Sequence, residues 1–117
     1  MNKKYEKYIN YIVNELEPPY FRNMRDSYGL RTNEYEMVLS KLYKQPVTIK
    51  GYYVNDNQGN IIYHEKNDGN WEKSEYNNQG EIIYHETSNG YWAKYEYDNR
   101  GNIIYYESID GVFIDSR

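Results

Sequence analysis

The chain has no cysteine. Disulfides, thiolate metal sites and cysteine nucleophiles are therefore excluded. No apolar run approaches the length of a membrane-spanning helix, so no membrane partner is expected. The first residues, Met1 to Glu6, are charged at once and lack the apolar core of a signal peptide. The expected location is the cytoplasm. There is no GxSxG, no phosphate-binding glycine loop and no HExxH. The chain reads as non-enzymatic, with no cofactor and no metal.

What is present is aromatic. Only 38% of the 117 residues are apolar, and aromatic residues make up 18% of the chain, with 17 tyrosines. A tyrosine packs a large ring while keeping its hydroxyl wet, which suits half-exposed sheets and binding faces. The length allows one domain or two tightly joined parts. Charge is uneven across it. Residues 1–46 hold 8 Lys/Arg against 6 Asp/Glu, and residues 47–117 hold 6 against 12. The acidic part should repel phosphate backbones and attract basic protein surfaces, so direct nucleic-acid binding is not expected.

That acidic part repeats. Asn60-Ile61-Ile62-Tyr63-His64-Glu65 returns as Glu81-Ile82-Ile83-Tyr84-His85-Glu86 and as Asn102-Ile103-Ile104-Tyr105-Tyr106-Glu107, at a period of 21 residues. Gly59, Gly80 and Gly101 keep the beat, as do Gly69, Gly90 and Gly111, and Trp71, Trp92 and Phe113. Such a period means one small unit stacked three times. Within it, two strand-like runs of six alternate with Asp/Asn-x-x-Gly turns. The unit predicts an antiparallel meander of six or seven strands, led by one strand over 47–55 and closed by one over 112–115. Alternation places Ile61, Tyr63 and Glu65 on one face, with Ile62 and His64 on the other. Likewise Trp92, Lys94 and Glu96 oppose Tyr91, Ala93, Tyr95 and Tyr97. The last strand has nothing to pair with, so a homodimer through that edge is a further expectation.

Residues 1–46 read as a helical segment. Tyr5, Tyr8, Ile9, Ile12, Val13 and Leu16 follow helical spacing over residues 3–17, and Pro18-Pro19 ends the run. A second helix is predicted from Pro19 or Tyr20 to Tyr28, with Gly29 as its left-handed cap. A third starts at Asn33, where Asn33-x-x-Glu36 has capping-box spacing, and stops at Pro46. Tyr35, Val38, Leu39, Leu42 and Tyr43 form its apolar stripe. The fold class is thus α+β, with a helical segment at 1–46 and a β-hairpin repeat sheet at 47–117. Helix, turn at 29–32 and helix also outline a helix-turn-helix. Its groove-facing first turn would carry Glu34 and Glu36 towards phosphates, which disfavours a DNA-binding regulator.

Tyr95-Glu96-Tyr97-Asp98-Asn99-Arg100-Gly101-Asn102, with the next glycine at 111, resembles the YD (RHS) repeat. That pattern, Tyr-x-Tyr-Asp-x-x-Gly-Asn/Arg, recurs about every 21 residues. The units at Ser74–Glu81 and Tyr53–Asn60 depart further from it. In large members of the family many such repeats coil into a shell around a toxin or serve in adhesion. Three repeats cannot enclose anything, so the shell role does not carry over. The stretch Tyr20–Met24, Tyr28–Leu30 and Glu34–Glu36 also resembles small phage or prophage proteins that place such a segment before YD-type repeats.

The chemistry of single residues adds little. His64 and His85 sit at equivalent positions about 10 Å apart by strand geometry, too far for a shared metal. Glu65, Glu86 and Glu107 have the same spacing, at the edge of or beyond what a glycosidase pair needs. The expected function is a protein-binding module whose acidic aromatic sheet docks a basic partner. Trp71, Glu75, Trp92, Lys94, Tyr95 and Glu96 are the candidate contacts. The phage-like resemblance implies a host nucleic-acid-handling enzyme as partner, and hence an anti-CRISPR-like inhibitor of a host defence nuclease acting in the host cytoplasm. The alternative is a glycan or cell-wall-binding repeat that stacks sugars on its aromatics.

Overall fold

The structure, a computed structural model, describes residues 3–117. Met1, Asn2 and the side chains of Lys3, Lys4 and Tyr5 lie outside the described part. Three helices, α1 (Lys3–Glu15), α2 (Tyr20–Asp26) and α3 (Thr32–Tyr43), precede eight strands. These are β1 (Thr48–Lys50), β2 (Tyr53–Asn55), β3 (Ile61–Glu65), β4 (Trp71–Tyr76), β5 (Ile82–Thr87), β6 (Trp92–Tyr97), β7 (Ile103–Ser108) and β8 (Gly111–Asp115). They form one antiparallel sheet in sequence order. The α+β class and the meander are as the sequence predicts.

The helices obey their sequence signals with small shifts. Ile9 and Ile12 bury the inner side of α1 and Leu16 follows them just past its end, whereas Tyr8 lies at the rim and donates its hydroxyl to the Tyr28 carbonyl at 2.7 Å. α2 is shorter than its periodicity suggests, because the chain leaves the helix at Ser27. Gly29 then takes φ +66°, and the Leu30 N–H returns to the Met24 carbonyl. The capping box sits earlier than Asn33/Glu36. The Glu34 carboxylate accepts the Arg31 N–H at 2.8 Å, and α3 starts at Thr32. Its far end turns off through Lys44, a non-glycine residue at φ +58°, two residues before Pro46.

Two features of the sheet depart from expectation. The first is the strand count. Gly51, at φ +59°, folds the stretch 47–55 back on itself, so one expected strand becomes the hairpin β1–β2. The second is a bulge in every repeat. Asn55 pairs with Ile61 while Val54 pairs with Tyr63, so Ile62 is an extra residue. Ile83 and Ile104 are extra in the same way. A bulge breaks two-residue alternation. Ile62 therefore joins Tyr63 in the core instead of facing away from it, and Ile61 is 42% exposed.

Turn chemistry explains the Asp/Asn-x-x-Gly signature. The side-chain oxygen of Asp56 accepts the N–H groups of Gln58 and Asn60. Asn77 does the same for Gln79 and Glu81, and Asp98 for Arg100 and Asn102. These donors hold the Asp98 carboxyl below its usual range. Each turn glycine donates its N–H to the carbonyl of the residue that opens the turn. The tyrosine before the turn also repeats a task. Tyr76 and Tyr97 donate their hydroxyls to the carbonyls of Ile61 and Ile82, tying each hairpin to its predecessor.

Helices and sheet share one core. Ile9, Ile12, Phe21, Met24, Val38 and Leu39 pack with Val54, Ile62 and Tyr63. The cluster reaches Trp71 and Tyr76 on β4 and goes no further. The helical segment thus roofs the first repeat, and β5–β8 extend beyond it in a molecule 52 Å long.

Candidate functional site

Residues paired across antiparallel strands project to the same face. Tyr63 pairs with Lys73, Glu65 with Trp71, Lys73 with Glu86 and Glu75 with Tyr84. The row continues through Tyr84–Lys94, Glu86–Trp92, Lys94–Glu107 and Glu96–Tyr105. Of the six sequence-predicted contacts, Trp71, Glu75, Trp92, Lys94 and Glu96 lie on this one face. Tyr95 lies on the other, opposite Tyr106.

The face begins under α2. The Glu65 carboxylate, 4% exposed, accepts the N–H groups of Phe21 and Arg22, both at 2.9 Å. It also accepts the Tyr63 hydroxyl at 2.6 Å, and that hydroxyl accepts the Tyr20 N–H at 2.8 Å. The free N–H groups and positive dipole end of a helix favour such a carboxylate. The Tyr20 ring covers the Tyr63 ring at 4.6 Å. Arg22 extends over Gly69 and donates to the Asn67 carbonyl at 2.7 Å. A Cβ at Gly69 would stand 3.4 Å from the guanidinium. Burial, then the bond to Glu65, pushes the Tyr63 phenol far above its ordinary value.

Past α2 the face is open. Lys73 lies 5.1 Å from the centre of the Tyr20 ring and 5.3 Å from that of Trp71, and Lys94 lies 5.5 Å from that of Trp92. Both lysines are thus drawn onto aromatic faces. Trp71 leans partly on the core, while Trp92 stands clear of it. A groove of about 440 Å³ runs beside α3, lined by Tyr20, Tyr43, Gln45, Lys73, Tyr84 and Glu86 among others. At the far end Tyr105 donates to Glu107 at 2.5 Å, and the Arg117 guanidinium lies 3.9 Å from the Tyr105 ring centre. Arg117 also reaches Glu96 at 3.2 Å.

The reverse face carries a different arrangement. His64 stacks on Tyr53 at 3.9 Å, and His85 Nδ1 is 3.1 Å from Ser74 Oγ. Tyr95 stacks on Tyr106 at 5.0 Å, and Tyr106 on Phe113 at 5.4 Å. The two histidines serve in separate local contacts. No group of three or more His, Asp or Glu is placed to hold a metal among the described residues. No helix among them is long and apolar enough to cross a membrane.

Sequence reasoning did not single out the Tyr-x-Glu pairs as contacts. Their signal was available: Tyr63/Glu65, Tyr84/Glu86 and Tyr105/Glu107 are unchanged in all three repeats, whereas the residue between them varies. No protein-family model matches the chain, and no curated protein matches it.

Proposed function

We propose that the protein is a non-enzymatic binding module that docks a basic protein surface on the acidic aromatic face of β4–β8. The observation that carries this reading is the continuity of that face. Its first repeat binds a protein segment, α2, through Tyr63 and Glu65, and the same residue types run on beyond the helices across the next strands. Trp92 and Tyr84 supply half-buried anchors, and Glu75, Glu86 and Glu96 supply charge. A partner with a basic, nucleic-acid-handling surface fits this chemistry best. In that form the module acts as a phage-encoded inhibitor of a host defence nuclease, covering the surface that nucleic acid needs. The YD-type and phage-protein resemblances support the same assignment.

The geometry of the reverse face favours protein over glycan. Sugar stacking needs exposed ring faces, but Tyr95 and Tyr106 are taken up in a stack with Phe113, which leaves only the outer face of Phe113 open. A DNA-reading role is disfavoured by Glu34 in the first turn of α3 and Glu36 just after it. The test is affinity capture from nuclease-treated bacterial lysate with the wild-type chain and with Trp92→Ala and Glu96→Arg. A stoichiometric basic protein retained by the wild type, lost in both variants and weakened by salt supports the reading. If that protein is a nuclease, one equivalent of the module should block its cleavage of substrate. Capture that both variants leave unchanged, or recovery of polysaccharide alone, counts against it.

A further inference from the structure

The three Tyr-x-Glu pairs are copies of one receptor in three different states of cover. The first holds the opening turn of α2: backbone N–H groups on the carboxylate, an aromatic ring on the tyrosine, an arginine along the next turn. The third is covered by the chain's own Arg117, which lies on Tyr105. The middle pair, Tyr84 and Glu86, has neither. Both residues are half-buried, and no hydrogen bond or ion pair joins the side chain of either to another group among the described residues. The lysines in register with them are turned onto the rings of Tyr20, Trp71 and Trp92.

The setting of the middle pair resembles a seat more than a surface. It lines the groove of about 440 Å³ beside α3. Another wall of that groove is Tyr43, whose ring meets that of Tyr20 edge-on at 6.4 Å. Gly90, the equivalent of Gly69, has nothing within 4 Å of where a Cβ would stand, so the place that Arg22 fills in the first repeat is open here.

We propose that Tyr84, Glu86 and Gly90 form a docking seat for the N-terminal turn of a partner protein's helix that carries an arginine two residues after an aromatic, as Tyr20-Phe21-Arg22 does in this chain. The free N–H groups of that turn would meet Glu86, its aromatic would cover Tyr84, and its arginine would lie along Gly90. This rests on the binding-module reading and specifies the part of the partner that is bound.

The probe is a synthetic peptide with the sequence of residues 18–29, titrated into the full-length, isotope-labelled chain to millimolar concentration and followed by amide NMR. Saturable shifts should centre on Tyr84–Gly90 and the C-terminal end of α3. They should require at least tenfold more peptide in Glu86→Gln, and the unaltered chain should likewise require at least tenfold more of a peptide in which the arginine equivalent to Arg22 is replaced by alanine. Glu107→Gln should leave the titration unchanged. Absence of shifts up to millimolar peptide overturns the proposal. So do shifts confined to Tyr63–Gly69, which would report exchange with α2, and shifts that Glu86→Gln leaves unaltered. The two readings separate cleanly. A partner whose binding is lost with Trp92→Ala but kept with Glu86→Gln sinks the seat and leaves the module standing, and one kept by both variants sinks both.

Discussion

Glu65→Gln removes one charge from a site where every atom has a task. The carboxylate is 4% exposed and accepts three hydrogen bonds, from Phe21 N–H, Arg22 N–H and Tyr63 O–H. Glutamine keeps the shape but only one acceptor oxygen. Its amide NH2 must face either the Arg22 N–H or the donors from Phe21 and Tyr63. At least one charge-assisted bond is lost, about 1.5–3 kcal/mol, and a buried donor is left facing another donor. Screening by solvent is small at this burial, so the expected loss is about 2–4 kcal/mol, a large share of a typical domain's stability of roughly 5–15 kcal/mol. For a chain of this size that is a fall in melting temperature on the order of 6–15 °C.

The assay is urea and thermal unfolding by circular dichroism, with Glu107→Gln as the matched control. Glu107 accepts a tyrosine hydroxyl in the same way but has no helix above it. Its variant should lose about 1 kcal/mol or less. If the two variants lose the same amount, or Glu65→Gln loses almost nothing, then α2 is not held by this carboxylate, and the argument for the seat at Glu86 falls with it.

Other perturbations test other parts of the fold. Gly80→Val should destabilise the central turn by about 1–3 kcal/mol, because Gly80 sits at φ +80°, and a β-branched residue there is strained; an unchanged melting temperature refutes the turn assignment. Alkali should unfold the protein. The Tyr63 phenol is raised by burial and by Glu65, so the neutral form is favoured in the native state and its stabilising effect is complete below the unfolded phenol value of about 10. Stability should be lost as pH climbs above that value, with buried-tyrosine ionisation at 295 nm coinciding with loss of ellipticity; ionisation without unfolding refutes it. At the sheet's end β8 is exposed throughout, with Val112 at 55% and Phe113 at 60%. Edge pairing should raise the light-scattering mass with concentration, and Val112→Lys should hold the chain monomeric; a wild type that is monomeric at every concentration counts against it.

Much of this architecture is legible in the residues. The 21-residue beat, the turn glycines and the helical stripes depend on local rules, and local rules can be read one segment at a time. The bulges could not be read that way. Ile62, Ile83 and Ile104 look like ordinary strand residues, and only pairing with the neighbouring strand shows each to be supernumerary. Gly51 had the chemistry of a turn, but the apolar residues on either side of it fit one strand equally well. The shift of the α3 cap from Asn33 to Arg31 has the same origin: two acidic residues, Glu34 and Glu36, stand at competing positions, and the Arg31 N–H meets the first.

The site was half legible for a related reason. Alternation alone sorts Trp92, Lys94 and Glu96 from Tyr95, because β6 pairs in regular register from Trp92 to Glu96. It cannot say which face a helix covers, since α2 reaches Tyr63 and Glu65 across more than forty residues of chain. A glutamate that is buried beneath a helix and one that is open to a partner have the same letter in the sequence. Duplication copied the receptor three times, whereas the segment that fills it was present once. The mismatch between three seats and one α2 is what turns a structural contact in the first repeat into a binding proposal for the second.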